Sequence, residues 1–142
     1  MGLKIIIFDG SFKTTPFINR LVNGLVLKHE VFILGLNEKL ATPIAGVHYI
    51  SLGSNQSKFN FVLHKINPDI IHLQWPSVIP WLEEVLMEQK ISVVLSQRGF
   101  HSNVRPFVDE ANFEYLNKWY PKIAGFHSVS KAIAANGNRI WN

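Results

Sequence analysis

The chain has 142 residues, of which 47% are hydrophobic and 17% are charged, and its net charge is +4. This length suits one globular domain with enough apolar residues to build a core. The absence of cysteine excludes disulfides and thiolate chemistry. The basic residues are scattered and form no run of Lys or Arg, which argues against a nucleic-acid-binding stripe but is compatible with a small anionic partner.

Short apolar runs alternate with helical patterns along the chain. The run "LKIIIF" is apolar throughout, as expected for a strand buried on both faces. Gly137 is expected to stop the last helix. In chain order, the prediction is strand 3–8, helix 14–29, strand 30–35, strand 47–52, helix 57–66, strand 69–74, helix 78–89, strand 92–96, helix 108–119, strand 123–129 and helix 131–136.

Strands that alternate with helices predict a parallel sheet covered on both faces. Right-handed crossovers then give a single three-layer α/β domain with a Rossmann-like, doubly wound sheet over residues 1–142. In such sheets ligands bind beyond the carboxyl ends of the strands. Four segments follow predicted strand ends and are expected to converge on one edge of the sheet: 9–13, 74–77, 97–105 and 128–131.

Several common functional motifs are missing from the sequence. The nine glycines form neither G-x-G-x-x-G nor the phosphate loop G-x-x-x-x-G-K-[ST], which argues against a dinucleotide-dependent dehydrogenase and a P-loop nucleotidase. The histidines show no metal-binding spacing, and there is no D-x-D pair, so no metal site is predicted. No G-x-S-x-G elbow is present to hold a serine nucleophile.

Four stretches resemble the N-terminal, acceptor-side domain of GT-B-fold retaining glycosyltransferases. The closest group is the large family, glycosyltransferase family 4-like, that builds bacterial polysaccharides and glycolipids. The stretches are "SFKTTPFINRLVNGL" (11–25), "INPDIIHLQWP" (66–76), "VVLSQRG" (93–99) and "FHSVSKAI" (126–133). Together they span nearly the whole chain, in the order that the family has them.

The resemblance implies an enzyme with two Rossmann-like domains that face each other across a cleft. This chain corresponds to the domain that holds a saccharide or lipid-linked acceptor. The domain that binds the nucleotide sugar, with its E-x7-E element, is expected to be absent from this chain, so the 142 residues alone are expected to be inactive. The resemblance also implies sugar transfer with retention, without a metal or a cofactor bound by this domain.

Arg98 is the candidate catalytic residue. Many relatives in the family carry a histidine at this position, and arginine cannot act as a base near neutral pH. Its guanidinium can still bind phosphate or sugar oxygens through two parallel hydrogen bonds. In the family's usual mechanism the leaving phosphate helps to deprotonate the acceptor, so no protein base is obligatory. The remaining candidates for contacts with substrate or donor phosphate are Gly10, Ser11, Phe12, Lys13, Trp75, Gln97, Gly99, His101 and Ser130.

Several of these residues also have a plain structural interpretation. Ser130 could cap the last helix, and Trp75 could belong to the core. His72 is interpreted as a buried, hydrogen-bonded core residue, and His101 as a solvated loop histidine. The aromatic and basic residues over 113–122 are compatible with ordinary helix packing or with contact to a membrane surface.

Two alternatives to a glycosyltransferase stay open at the level of sequence. The first is a stand-alone Rossmann-like or flavodoxin-like module that binds a small anionic ligand without catalysis. The second is a nucleotide-sugar or NAD-linked enzyme with a degenerate glycine loop, in which Glu38 would bind the ribose. The early apolar run 5–8 is too short for a signal peptide or a membrane span, so we predict a cytoplasmic protein, with the inner face of the membrane as an alternative site.

Overall fold

The structure, a computed structural model, describes residues 2–10, 15–37 and 43–141. These residues form a six-stranded, all-parallel sheet in the order β3-β2-β1-β4-β5-β6. The chain therefore runs outward from β1 in one direction and, from β4 onward, in the other, which confirms the predicted Rossmann-like, doubly wound α/β fold. The strands are β1 (Lys4–Gly10), β2 (Glu30–Gly35), β3 (Val47–Ser51), β4 (Ile70–Leu73), β5 (Ser92–Gln97) and β6 (Gly125–Ser128).

Seven α-helices lie within the described residues. All the strands begin and end within three residues of their predicted positions, but the helices depart more from the prediction. The helices are α1 (Pro16–Leu25), α2 (Gln56–Ile66), α3 (Glu83–Glu88), α4 (Gly99–Asn103), α5 (Arg105–Val108), α6 (Glu110–Trp119) and α7 (Lys131–Trp141). Two short 3₁₀ helices, Pro76–Leu82 and Tyr120–Lys122, complete the list. By internal contacts the chain divides into two compact units, Met1–His72 and Leu73–Asn142.

In the first unit, α1 covers one face of β1 and β2. Thr15 caps α1, since its Oγ1 accepts a hydrogen bond from the backbone N–H of Ile18 at 3.2 Å, and Pro16 occupies the first turn. Ile18 and Val22, one helical turn apart, are buried against alternate residues of the two strands. The buried set of this core is Ile5, Ile7, Ile18, Val22, Val31 and Ile33.

Helix α2 also packs against β1 in the first unit. Phe59 is fully buried, and its ring stacks on that of Phe8 in β1 with the centroids 5.6 Å apart. The helix begins at the capping residue Asn55, whose Oδ1 accepts from the N–H of Lys58 at 3.0 Å. It ends at Asn67, which takes the left-handed conformation with φ +50°.

In the second unit, β5 and β6 pair in parallel from Val94–Gly125 to Gln97–Ser128. The segment between them holds three helices where one was predicted. No helix was predicted over 97–105, but α4 begins directly after Arg98. Asp109 separates α5 from α6 and caps α6 through a 2.9 Å hydrogen bond from the N–H of Asn112. Most of the polar residues over 97–105 therefore lie in or next to short helices.

The expectation that Gly137 stops the last helix is also wrong. Helix α7 runs through Gly137 to Trp141. A Cβ at position 137 would lie 2.8 Å from Oε1 of Gln97, so the position requires a glycine for close packing and not for a helix end. The glycine is buried, and the helix reaches four residues beyond it.

The aromatic residues over 113–122 are explained by helix packing. Trp119 and Tyr120 are buried, and Phe113 stacks on Trp141 with the ring planes 19° apart. Lys118 places its Nζ 4.9 Å from the centroid of the Trp119 ring. Among the described helices, none is both long and apolar enough to cross a membrane.

Candidate functional site

The ends of β4 and β5 bring Arg98 against two residues of the preceding strand connection. Nη2 of Arg98 donates a hydrogen bond to Oε1 of Gln74, and its Cζ lies 4.8 Å from the ring centroid of Trp75. The amide oxygen and the aromatic face both attract a cation. The guanidinium is thereby fixed in orientation at the carboxyl ends of two strands, where ligands of this fold bind.

His101 joins this group from the first turn of α4. Its ring centroid is 6.0 Å from that of Trp75 and 5.8 Å from that of Phe100. Burial, and secondarily the positive charge of Arg105, lower the pKa of His101 below its ordinary value. The histidine is therefore half-buried and neutral at physiological pH, and the expectation of a solvated loop residue is wrong. We refer to Gln74, Trp75, Arg98 and His101 as the arginine cluster.

Two members of the arginine cluster hold buried polar atoms with unused hydrogen-bonding capacity. Gln74 is completely buried, and its Nε2 finds no hydrogen-bond partner among the described residues. Within the same part of the chain, Nδ1 of His101 and Oγ of the neighbouring Ser102 are likewise unsatisfied. A buried polar atom without a partner costs about 1–3 kcal/mol, so a bound polar ligand would relieve that cost.

Gly99 has a conformational reason to be glycine. Its φ is +35°, which side-chain-bearing residues rarely adopt, and no described atom lies within 4 Å of where its Cβ would be. No described residue therefore fills the space next to the Gly99 backbone. The predicted role of Gly99, close approach of backbone to a ligand, is compatible with this geometry and stays a prediction.

Gln97 and Ser130 lie outside the arginine cluster. The side chain of Gln97 turns towards β6 and α7, where its Oε1 accepts a hydrogen bond from Oγ of Ser128 at 2.9 Å. Oγ of Ser130 accepts from the N–H of Ile133 at 3.2 Å, which confirms the capping interpretation for α7. The segments after β4, β5 and β6 all follow carboxyl ends of parallel strands, but only the side chains of Trp75, Arg98 and His101 lie together, and those of Gln97 and Ser130 lie outside this group.

The first predicted segment is only partly described. Gly10 ends β1, but Ser11, Phe12 and Lys13 lie outside the described residues, as does Glu38, so their predicted roles stay predictions. His72 is buried in β4, as its interpretation as a core residue requires. In the described ranges, no group of three or more His, Asp or Glu side chains converges in a way that could hold a metal ion.

Gln74 lies in the predicted edge segment 74–77 but was not among the candidate site residues. Its side chain is the one that orients Arg98. The available signal was its position, since it directly follows β4 just as Arg98 directly follows β5. Ser102 was missed because it was assigned to a loop, whereas in α4 it is buried beside His101.

No protein-family model matches the chain, and no curated protein is detectably similar to it in sequence. Among solved structures, the epimerase Mth375 from the methanogen Methanothermobacter thermautotrophicus aligns with a TM-score of 0.45 and 11% identity. The alignment covers 84% of this chain and 48% of the epimerase chain, so the chain spans about half the length of that protein. A similarity at this level carries no inference about function.

Proposed function

We propose that the chain is the acceptor-binding half of a glycosyltransferase that moves a sugar from a nucleotide-sugar donor to a saccharide or lipid-linked acceptor. The observation that carries the proposal is the arginine cluster: a fixed guanidinium, an aromatic face and a neutral histidine at the carboxyl ends of adjacent strands. Support also comes from the sequence stretches that resemble the glycosyltransferase domain, because two of them contain Gln74, Trp75 and Arg98.

Each part of the cluster has a chemical role in this proposal. Arg98 binds the oxygens of a phosphate, whose negative charge grows as the bond from the anomeric carbon to the phosphate oxygen breaks. Trp75 offers an aromatic face to a sugar ring. The hydroxyl oxygen of the acceptor forms the new bond to the anomeric carbon, and its proton passes to the leaving phosphate.

Gln74 and His101 supply neutral hydrogen-bonding groups for hydroxyls. Nε2 of Gln74 is a donor, and Nδ1 of His101 donates or accepts according to the tautomer. Because both atoms are buried and unsatisfied within the described residues, a hydroxyl-rich ligand would complete their hydrogen bonding. An anion without hydroxyl groups would pair with Arg98 but would form fewer hydrogen bonds with Gln74 and His101.

A binding experiment on the 142-residue chain tests the proposal. Glucose 1-phosphate, methyl glucoside and inorganic phosphate are titrated by calorimetry. We expect the sugar phosphate to bind more tightly than either part alone. Arg98→Ala should weaken that binding roughly 10- to 100-fold, as for the loss of a hydrogen bond to a charged group. Arg98→Lys should restore only part of the loss, because a point charge cannot replace the planar fork.

Arg20→Ala is the control, since it removes an exposed cation of α1 in the first unit. Equal affinity for inorganic phosphate and for the sugar phosphate would favour the alternative, a module that binds a small anion without catalysis. Unchanged sugar-phosphate binding in a folded Arg98→Ala variant would refute the assigned role of the arginine cluster.

A further inference from the structure

A second cavity, separate from the arginine cluster, lies within the Leu73–Asn142 unit. It has a volume of about 390 Å³, opens to solvent, and is lined by the carboxyl ends of β5 and β6, the end of α6, the 3₁₀ turn Tyr120–Lys122 and α7. This volume lies within the range of about 300–1,000 Å³ that is typical of small-molecule sites. We call it the aromatic cavity.

Three aromatic rings form its apolar wall. The ring centroids of Tyr120 and Trp141 are 4.7 Å apart, and those of Tyr120 and Phe126 are 5.0 Å apart. Trp141 also stacks on Phe113, and the planes of these two rings are 19° apart. Phe126 is 43% exposed, so the aromatic wall extends from the interior to the mouth of the cavity.

The polar part of the lining consists of uncharged groups. Gln97, Asn117 and Asn138 bring three carboxamides, and Ser128 brings a hydroxyl. Among the described residues that line the cavity, none is Asp, Glu, Lys, Arg or His. Burial raises the pKa of Tyr120, so its hydroxyl is neutral at physiological pH as well. A charged ligand would therefore lose its hydration without gaining a counter-charge in this cavity.

The carboxamide of Gln97 is held in place on the cavity floor. Ser128 donates to its Oε1, and the missing side chain of Gly137 leaves the room that the amide occupies, since a Cβ there would lie 3.1 Å from Nε2. The hydrogen bond leaves Nε2 as the donor of this carboxamide. Asn138 follows Gly137 in α7 and is exposed. Its side-chain amide can supply both a donor and an acceptor at the mouth of the cavity.

From these features we infer that the aromatic cavity binds a small neutral heterocycle of the nucleobase type. Aromatic side chains stack on the flat faces of bases, and carboxamides pair with the adjacent donor and acceptor groups on their edges. A sugar ring presents hydroxyls around its whole perimeter and would bring several of them against the three rings. The inference does not depend on the function proposed for the arginine cluster, because the two sites share no residue.

The test is a nuclear magnetic resonance titration of the 142-residue chain with adenosine and uridine, with ribose and methyl glucoside as sugar controls. We expect saturable shifts of the side-chain amides of Gln97 and Asn138 with a nucleoside. The dissociation constant should be on the order of 0.1–1 mM, as for a ligand of this size. The sugars should produce no saturable shift. Arg98→Ala should leave nucleoside binding unchanged.

Gly137→Ala should abolish the saturable shifts, because the added methyl group displaces the Gln97 amide. Gly24→Ala is its matched control: Gly24 is an exposed glycine of α1, with no described atom within 4 Å of its Cβ position. If Gly137→Ala does not fold, Asn138→Ala at the exposed mouth is titrated instead, with the Gln97 amide as the readout, and should weaken binding several-fold.

Four results would overturn the inference: no shift with either nucleoside, equal shifts with the sugars, shifts confined to the arginine cluster, or wild-type binding by a folded Gly137→Ala variant.

Discussion

The guanidinium of Arg98 is held from two sides, by the amide oxygen of Gln74 and by the face of Trp75. The hydrogen bond holds one nitrogen of the guanidinium, and the Trp75 ring limits its movement on another side. An arginine oriented before the ligand arrives loses less conformational entropy on binding than a free one does. A lysine ammonium at this position could not offer two parallel hydrogen bonds to a phosphate, as the planar guanidinium can.

His101 should make the stability of the chain sensitive to mildly acidic pH. Its pKa in the folded chain lies below the ordinary value of 6.5, because burial and Arg105 disfavour the imidazolium. As the pH falls through 6.5, the unfolded chain binds the proton first and the free energy of unfolding decreases. The contribution of the neutral histidine is therefore present above 6.5 and is lost below it.

Urea unfolding of the wild type and of His101→Gln, at about pH 7.5 and about pH 5, measures this effect. The wild type should lose more stability than the variant on acidification. His64→Gln, which changes an exposed histidine of α2, is the control. An equal loss in wild type and His101→Gln would show that His101 does not titrate abnormally.

Residue roles set by the neighbouring backbone could be predicted, whereas roles set by distant partners could not. The capping of α7 by Ser130 depends on a residue three positions away, and the burial of His72 depends on its place in an apolar strand. The burial of His101 depends instead on Trp75, which is distant in sequence. Gln97 and Arg98 are adjacent, yet their side chains serve different clusters, and no local pattern distinguishes them.

At the level of elements, the strands and α6 were predictable, whereas α4, α5 and the end of α7 were not. Continuous apolar runs are typical of strands buried in a parallel sheet, and this signal is strong. The helices α4 and α5 are only five and four residues long, so they leave no apolar period to detect. Glycine was expected to end α7, but tight packing on Gln97 takes precedence there over the low helix propensity of glycine.

The N-cap of α2 provides a direct test of how the first unit is stabilised. Asn55 accepts a hydrogen bond from the N–H of Lys58, which would otherwise lack an intrahelical partner. Asn55→Ala should lower the free energy of unfolding by about 1 kcal/mol. Asn55→Asp keeps an acceptor at the same place and should retain nearly all of the stability. Chemical denaturation of the three proteins decides the matter, and equal stability of Asn55→Ala and wild type would contradict it.

At the scale of the whole molecule, alternation of strands and helices was enough to predict the parallel, doubly wound sheet. Parallel neighbours need crossover connections, and the right-handed rule leaves few topologies for six strands. The same reasoning cannot predict a cavity such as the aromatic one. Its walls come from three separate segments, and its floor exists because position 137 lacks a side chain.

The function proposed for the chain predicts that residues 1–142 alone transfer no sugar. In that proposal donor binding belongs to a second domain, and this chain supplies only the acceptor side. The assay is mass-spectrometric detection of product from UDP-glucose or GDP-mannose and a mixture of saccharide acceptors. Turnover above a no-protein blank would contradict the prediction, provided that the Arg98→Ala chain, prepared in the same way, lacks it.

The close contact between Gly137 and Gln97 has a consequence for how related sequences can diverge. A methyl group at 137 would overlap the amide at 97, so a larger residue at 137 is sterically compatible only with a shorter residue at 97. Among homologues, the two positions should therefore change together, with glycine retained wherever glutamine is present and exchanged for alanine or serine where position 97 is small. Positions 97 and 137, which are 40 residues apart, would then covary because of this one contact.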